Sequence, residues 1–233
     1  TALWDALREG TPLPPPQTPF AYTKFLGLLG AVRVDVRREG NTLQLVPYTE
    51  EQVRKLAPKA LPEPGLVLKS TTADPQRGGL FDPEITGGLD GKKWSRFDLP
   101  EPMPNPVFEE AIKKLLAIND KEFTGLVDGS VAYKGVRGGK AIEAKLKEID
   151  VKKELAATKA SLSTAKGEKR DRIYKKFRIL RALDEANLDP TVYMMKSVPV
   201  LPPVFRPIVT QPDGQLMVND VNFLYRDLAY TTD

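Results

Sequence analysis

The sequence predicts an α+β protein built from many short segments, with no large sheet. Three observations carry that reading. Two runs that alternate apolar and polar residues, 32–36 and 43–46, flank a turn at Glu39-Gly40-Asn41 and read as a β-hairpin. Residues 138–190 hold three successive patterns of helical period. Residues 198–207 then place four prolines in ten positions. Each proline fixes φ and removes a backbone donor, so the run is neither a helix nor a central strand. It reads as a stiff, extended strut that holds the next segment in a fixed place.

In chain order, residues 1–10 form a short amphipathic pattern stopped by Gly10. Pro12, Pro14, Pro15 and Pro16 make a stiff linker, and residues 22–29 are again helical in pattern. After the hairpin, Thr49 with Gln52 has the spacing of a capping box for a helix through Leu56. Pro58, Pro62 and Pro64 end it; residues 1–75 read as an N-terminal part of helices, hairpin and proline-rich linkers, and 76–233 as the part that follows. The turn-rich segment 78–88 offers Leu80, Phe81 and Ile85 for burial, and residues 94–102 read as a strand after a tight turn. A helix over 107–118 follows, with Phe108, Ile112, Leu115 and Leu116 on one face. Residues 119–138 read as looser chain, with a short strand near 127–133. The three helices beyond it place Ile142, Leu146 and Ile149 inward, then Leu155 and Leu162 behind an Asp150 cap, then Ile173, Phe177, Leu180 and Leu183. Asn187 and Asp189-Pro190 stop the last one. Beyond the strut, Pro212-Asp213-Gly214 is a turn signal within a loop at 208–219. A helix capped by Asp220 follows over 220–233. Its residues Phe223, Leu224, Tyr225 and Leu228 are expected to leave an apolar stripe uncovered, which would favour association.

The composition removes several chemistries. The 233 residues include no cysteine and no histidine, which excludes disulfides, cysteine nucleophiles, histidine bases and the usual zinc ligand sets. No apolar run approaches the roughly 18 residues of a membrane span, and no signal peptide is evident. The net charge of +4 and pI near 9.1 agree weakly with a polyanionic partner. Residues 134–141 have a phosphate-loop flavour, but the spacing is one residue short and Ala141 stands where a hydroxyl would bind magnesium. A turn leading into a helix is the better reading. Glu109-Glu110 read as surface charges. The thirteen Lys and Arg residues from Lys145 to Arg181 outnumber the acids of their segment. They form either a solvated helix surface or a face that follows nucleic-acid phosphates. Arg206, between Phe205 and Pro207, is open to two roles: an anchor on nearby carbonyls, or a phosphate contact.

Several runs together resemble the β′ subunit of multisubunit DNA-directed RNA polymerases. The family carries V-L-P-V-L-P-P-D-L-R-P, then a loop with D-G-G, then S-D-L-N-D-L-Y-R-R. Here the order is V-P-V-L-P-P-V-F-R-P, then Pro212-Asp213-Gly214, then N-D-V-N-F-L-Y-R-D. Gly79-Leu80-Phe81 is similar to the family's G-L-F run. Gly138, Ala141-Ile142, Glu148-Ile149-Asp150, Lys153-Glu154, Gly167, Lys169-Arg170, Pro190 and Met194 match further in register. The resemblance covers roughly residues 47–228. Where the family continues from G-L-F into a four-cysteine zinc ribbon, this chain has only Leu89 to Lys93, a departure that suggests a divergent, phage-encoded enzyme.

The resemblance implies an irregular clamp domain over 76–233, with its three-helix section at 138–190, its strut at 198–207, a lid loop at 208–219 and the start of a clamp helix at 220–233. It implies work in transcription: gripping template DNA and the RNA–DNA hybrid, and displacing RNA. The lid residues Asp213, Gly214, Gln215, Leu216 and Met217, with Lys169, Arg170, Arg206 and Arg226, are the implied nucleic-acid contacts. Lys169 and Arg170 lead, because a helix N-terminus also favours phosphate. The family's catalytic N-A-D-F-D-G-D run does not occur in this sequence, so no cofactor is expected in this chain and magnesium belongs to the catalytic part of the complex. Expected partners are other polymerase subunits or the rest of the β′ chain, and a specificity factor. The expected compartment is the cytoplasm, that of the host if phage-encoded. Two rival readings are a polymerase-derived module that binds a transcription factor, and an unrelated basic nucleic-acid-binding domain.

Overall fold

The computed structural model describes residues 32–36, 43–62, 74–212 and 215–232. The expected helices at 1–10 and 22–29, the proline linker, the turn at 39–41 and the tip at Asp213-Gly214 lie outside them. The class is α+β and irregular. Among the described residues the strands form three separate antiparallel pairs, and the rest is helix and turn.

The first pair is the expected hairpin, β1 (Val32–Val36) on β2 (Leu43–Pro47), with Val34 opposite Leu45. Helix α1 (Glu50–Leu56) follows with the expected capping box: the Gln52 N–H donates to Thr49 Oγ1 at 3.2 Å and the Thr49 N–H to Gln52 Oε1 at 3.0 Å. The chain then joins the central ribbon. Leu61 N–H donates to the Arg96 carbonyl at 2.8 Å, and the buried Arg96 guanidinium donates to the Ala57 and Pro58 carbonyls, each at 2.7 Å. Residues 57–61 therefore pack directly on β3, the first strand of that ribbon.

The ribbon is β3 (Ser95–Pro104) paired with β4 (Met194–Val200). Its register shifts between Asp98 and Met103, where β3 carries surplus residues including Pro100 and Pro102. Prolines cannot donate to the ladder, so they are tolerated at such an irregularity. Pro199 lies inside β4, in a two-stranded ribbon that has only edges. The proline run is extended through Pro202 and then bends into a 3₁₀ turn (Pro203–Phe205). It is thus a bent bracket, where the sequence suggested a straight strut.

One apolar core lies at each end of the ribbon. The first collects α2 (Glu109–Leu116), α3 (Asp120–Val127), α4 (Gly139–Lys147), α5 (Val151–Thr164) and α6 (Gly167–Glu185). Phe108, Ile112, Leu115, Phe123, Leu126, Ile142, Leu146, Leu180 and Leu183 fill it, with Tyr193 stacked on Phe108 at 5.0 Å between ring centres. Each fully buried side chain of this size contributes about 1.5–3 kcal/mol. The expected helix over 107–118 is a 3₁₀ turn (Pro106–Phe108) running into α2, stopped by Ala117 in the left-handed region at φ 53°. Helix α3 corrects the expectation of loose chain there. Asn119 and Glu122 form a second reciprocal capping box, and residues 127–133 leave a helix and enter a turn, with no strand. Gly139 opens α4 against β3 so closely that a Cβ would lie 1.7 Å from the Pro102 carbonyl oxygen. The segment with phosphate-loop flavour is thus a turn that docks a helix start on a strand.

The second core joins Leu61, Leu80, Phe81, Phe97, Val198 and Val200 to α7 (Asp220–Thr232), which supplies Tyr225, Leu228 and Ala229. This corrects most of the expected uncovered stripe: Tyr225 and Leu228 are fully buried and Leu224 is half-buried, while Phe223 is exposed as expected. The last strand pair, β5 (Ile208–Thr210) on β6 (Leu216–Val218), connects the bracket to α7.

Candidate nucleic-acid interface

Two places hold the residues singled out from the sequence. One is the hairpin of β5 and β6 with its root in the second core. The other is α6, whose inward residues Leu180 and Leu183 sit in the first.

At the root, Arg206 is the deciding residue. It is 0 % exposed and has no carboxylate partner among the described residues. Its Nε donates to the Leu201 carbonyl at 2.7 Å, one terminal nitrogen to the Leu80 carbonyl at 2.6 Å, and the other to Asn222 Oδ1 at 2.8 Å. Phe81 and Tyr225 present ring faces to the guanidinium at 4.7 and 5.8 Å. Burial pushes the Arg206 pKa down to about 10, with the neighbouring Tyr225 acting in the opposite direction. Of the two roles left open by the sequence, the arrangement is that of an anchor: a side chain with no exposed surface does not meet a phosphate. From the sequence Phe81 and Tyr225 read only as apolar residues and Asn222 has no role, because their contacts with Arg206 join residues far apart along the chain.

The loop at 208–219 is a β-hairpin, with Val209 opposite Met217 and Gln211 N–H donating to the Gln215 carbonyl at 2.8 Å. Met217 is 55 % exposed, and its Sδ accepts from Gln211 Nε2 at 3.7 Å. Leu216 is its strand neighbour, and Gln215 is exposed at the tip side. The cap of α7 is Asn219, whose Oδ1 accepts from Val221 N–H at 3.1 Å; Asp220, expected as the cap, is the first helical residue instead. Arg226 is half-buried, lies over the Phe223 ring at 5.1 Å and pairs with Asp227 at 2.8 Å. Its charge is therefore largely matched within the chain.

Helix α6 forms an antiparallel hairpin with α5. Asp150 caps α5 as expected, accepting from Lys153 N–H at 3.0 Å, and Lys176 joins Glu154 across the pair at 2.8 Å. Lys169 and Arg170 stand exposed in the first turn of α6, with no ion-pair partner among the described residues. Arg172 reaches Glu168 only at 3.5 Å, both well exposed, so that pair neutralises little.

Glu109 and Glu110 are more than surface charges. With Asp120 they converge on Lys113, which is nearly buried and lies 6.0 Å from the Phe123 ring centre. Hydrogen bonds from Lys113 and then Lys114 lower the Glu110 pKa to about 2. Burial works against the Lys113 charge, but hydrogen bonds to Asp120, Glu110 and Glu109 outweigh it and raise its pKa. The cluster ties the α2–α3 corner together. Among the described residues no three carboxylates gather as a metal-ligand set.

No protein-family model matches the chain. It is similar to proteins named DNA-directed RNA polymerase subunit beta'. One, from Geobacillus kaustophilus (strain HTA426), is 34% identical over 116 residues, 49% of this chain and 10% of that protein. Another, from Lactobacillus delbrueckii subsp. bulgaricus, is 42% identical over 89 residues, 38% of this chain and 7% of that protein. A third, from Bacillus pumilus, is 32% identical over 116 residues, again 49% of this chain and 10% of the relative. The chain thus resembles a β′ region, and the matched stretch spans about a tenth or less of these relatives.

Proposed function

We propose that this chain is the clamp-and-lid portion of a β′-like subunit of a DNA-directed RNA polymerase. It holds template DNA and the RNA–DNA hybrid, and its β5–β6 hairpin helps part RNA from template. Nucleotide addition, with its magnesium, takes place in other parts of the enzyme. The partners are the other polymerase subunits or the remainder of a β′ chain, with a specificity factor among them. A phage-encoded enzyme working in host cytoplasm fits the absence of cysteine and histidine for a zinc ribbon. No helix among the described residues is long and apolar enough to cross a membrane.

The observation that carries this reading is the similarity to β′ subunits at 32–42% identity. The hairpin supports it, because a segment held at both ends by buried contacts suits a fixed wedge. Affinity recovery of the tagged chain from its native source, with mass spectrometry of the bound proteins, tests it. Polymerase subunits, including one with the aspartate triad, are expected in stoichiometric amounts. Recovery of the chain with none of them would overturn the proposal.

A further inference from the structure

Helix α6 carries an aromatic residue that the fold does not use. Tyr174 is 53 % exposed, and its hydroxyl has no hydrogen-bond partner among the described residues. A lone exposed aromatic is ordinary. Here, however, Arg170 lies one turn before it and Arg178 one turn after, both exposed and both without an acid partner among the described residues. Positions four apart on a helix are neighbours on one surface, so the three side chains form one stripe. The inward face of α6, at Ile179, Leu180 and Leu183, lies to one side of it and is occupied by the first core. Lys169 and Lys175 flank the stripe, and Lys166 stands exposed at the α5–α6 turn. The acids of the neighbourhood do not cancel this charge. Glu185 is taken by Arg181 at 2.6 Å and Glu154 by Lys176, and Glu168 faces Arg172; beside Tyr174, Asp171 is a carboxylate with no ion-pair partner among the described residues.

We infer that Arg170, Tyr174 and Arg178 form a binding stripe for single-stranded nucleic acid, in which a base stacks on Tyr174 while the two guanidinium groups hold the phosphates on either side. The inference rests on the proposed nucleic-acid role of α6 and adds a ligand class to it. Cations alone bind any polyanion, including duplex. An exposed ring between them favours unpaired bases, whose faces are free to stack, over a duplex, whose bases are already stacked. The chemistry is shared by DNA and RNA, since every base has a π-face.

The 233-residue chain is titrated with labelled oligo-dT, oligo-U and a mixed-sequence duplex over a range of salt concentrations. Both single strands are expected to bind more tightly than the duplex. Y174A should weaken single-strand binding roughly tenfold with an unchanged salt slope, while Y174F stays within about twofold of wild type and Y174L behaves as Y174A. R170A and R178A should each lower the salt slope by about 0.7. Tighter binding of U identifies RNA as the source, and of dT, DNA; either order supports the stripe. A 4-thiouridine oligonucleotide should crosslink to the peptide carrying Tyr174 in the unaltered chain, a readout independent of any variant's folding. Binding by Y174A equal to wild type, Y174L equal to Y174F, a preference for duplex, or crosslinking confined to other peptides would overturn the inference. Recovery of polymerase subunits with a chain whose Y174A variant binds normally would sink this inference alone. Failure to recover them would sink the polymerase proposal and leave these titrations standing.

Discussion

Arg206 and Asn222 hold each other reciprocally: the guanidinium donates to Asn222 Oδ1 at 2.8 Å, and the Asn222 side-chain amide donates to the Arg206 carbonyl at 3.0 Å. Sixteen positions separate them, and the whole β5–β6 hairpin lies between. The pair therefore closes the foot of that hairpin and fastens it to α7. Both residues are fully buried. A buried cation without a carboxylate is costly to desolvate, and here the cost is offset by carbonyls and ring faces.

Removing this guanidinium leaves the Leu80 and Leu201 carbonyls and Asn222 Oδ1 without a donor. At about 1–3 kcal/mol for each unsatisfied buried group, with partial relaxation, R206A should cost about 3–5 kcal/mol. N222A should cost about 1–3 kcal/mol. The double variant should be scarcely worse than R206A, because the two share their interactions. Denaturant titration of the four proteins measures this; strictly additive losses would show that the clasp is not a unit.

The tight turn before β3 depends on Gly91. A Cβ there would lie 2.0 Å from the Thr86 carbonyl oxygen. The same residue's carbonyl accepts from Val204 N–H at 3.1 Å, joining the turn to the proline bracket. G91A should therefore destabilise by about 1–3 kcal/mol through backbone displacement, whereas G88A, with open space at the same test position though at φ +84°, should cost less. Thermal melting of the two variants separates crowding from backbone strain.

Much of the fold is local enough to be legible in the sequence. The first hairpin alternates strictly, the Thr49 box has its glutamine in register, and the inward residues of α6 repeat at helical spacing. Helix α3 was missed because it is short and contains Thr124 and Gly125, though the Asn119-to-Glu122 spacing was a usable signal. The Lys113 cluster, the burial of α7 and the role of Arg206 depend on contacts between residues far apart in sequence, which no local pattern encodes. At the candidate site, Lys169 and Arg170 are exposed as their position in the sequence suggested. Arg226 was a weaker choice, since Asp227 beside it already matches its charge.

Alkali should test the two cores through their tyrosines. Burial pushes Tyr193 and Tyr225 each up to about 12, against an ordinary value near 10. For Tyr225 the Leu201 N–H and Arg206 pull the other way. The neutral form is favoured in the folded chain, so above pH 10 the unfolded state binds fewer protons. Stability is then full below pH 10 and falls by about 1.4 kcal/mol per pH unit for each such tyrosine up to about 12. Absorbance titration should show late-ionising tyrosines that include Tyr193 and Tyr225. Y193F should abolish one late step and flatten the loss of stability. Absence of any late-ionising tyrosine in the folded protein would contradict this burial.

The hairpin tip offers the sharpest test of the proposed wedge. The hairpin's foot is fixed by the Arg206–Asn222 clasp, and Asn219 caps the helix that follows it. Its exposed side chains include Val209 and Met217, cross-strand partners that present apolar surface. Replacing residues 211–215 with a Gly-Ser linker removes the tip and leaves the foot intact. In an assembled polymerase this should preserve DNA binding and bond formation. It should lengthen the retained RNA–DNA hybrid, most of all on single-stranded templates, where no second DNA strand competes with the RNA. Neutralising Lys169 and Arg170 should do the opposite, leaving displacement unchanged while lowering the stability of the complex, with the deficit largest at low salt and the salt dependence shallower than wild type. Transcription on a single-stranded template, followed by nuclease mapping of the hybrid, reads both effects. Normal RNA release by the tip-replaced enzyme would remove the wedge role from this hairpin, and loss of displacement in the Lys169/Arg170 variant would mean the two sites do not divide the work in this way.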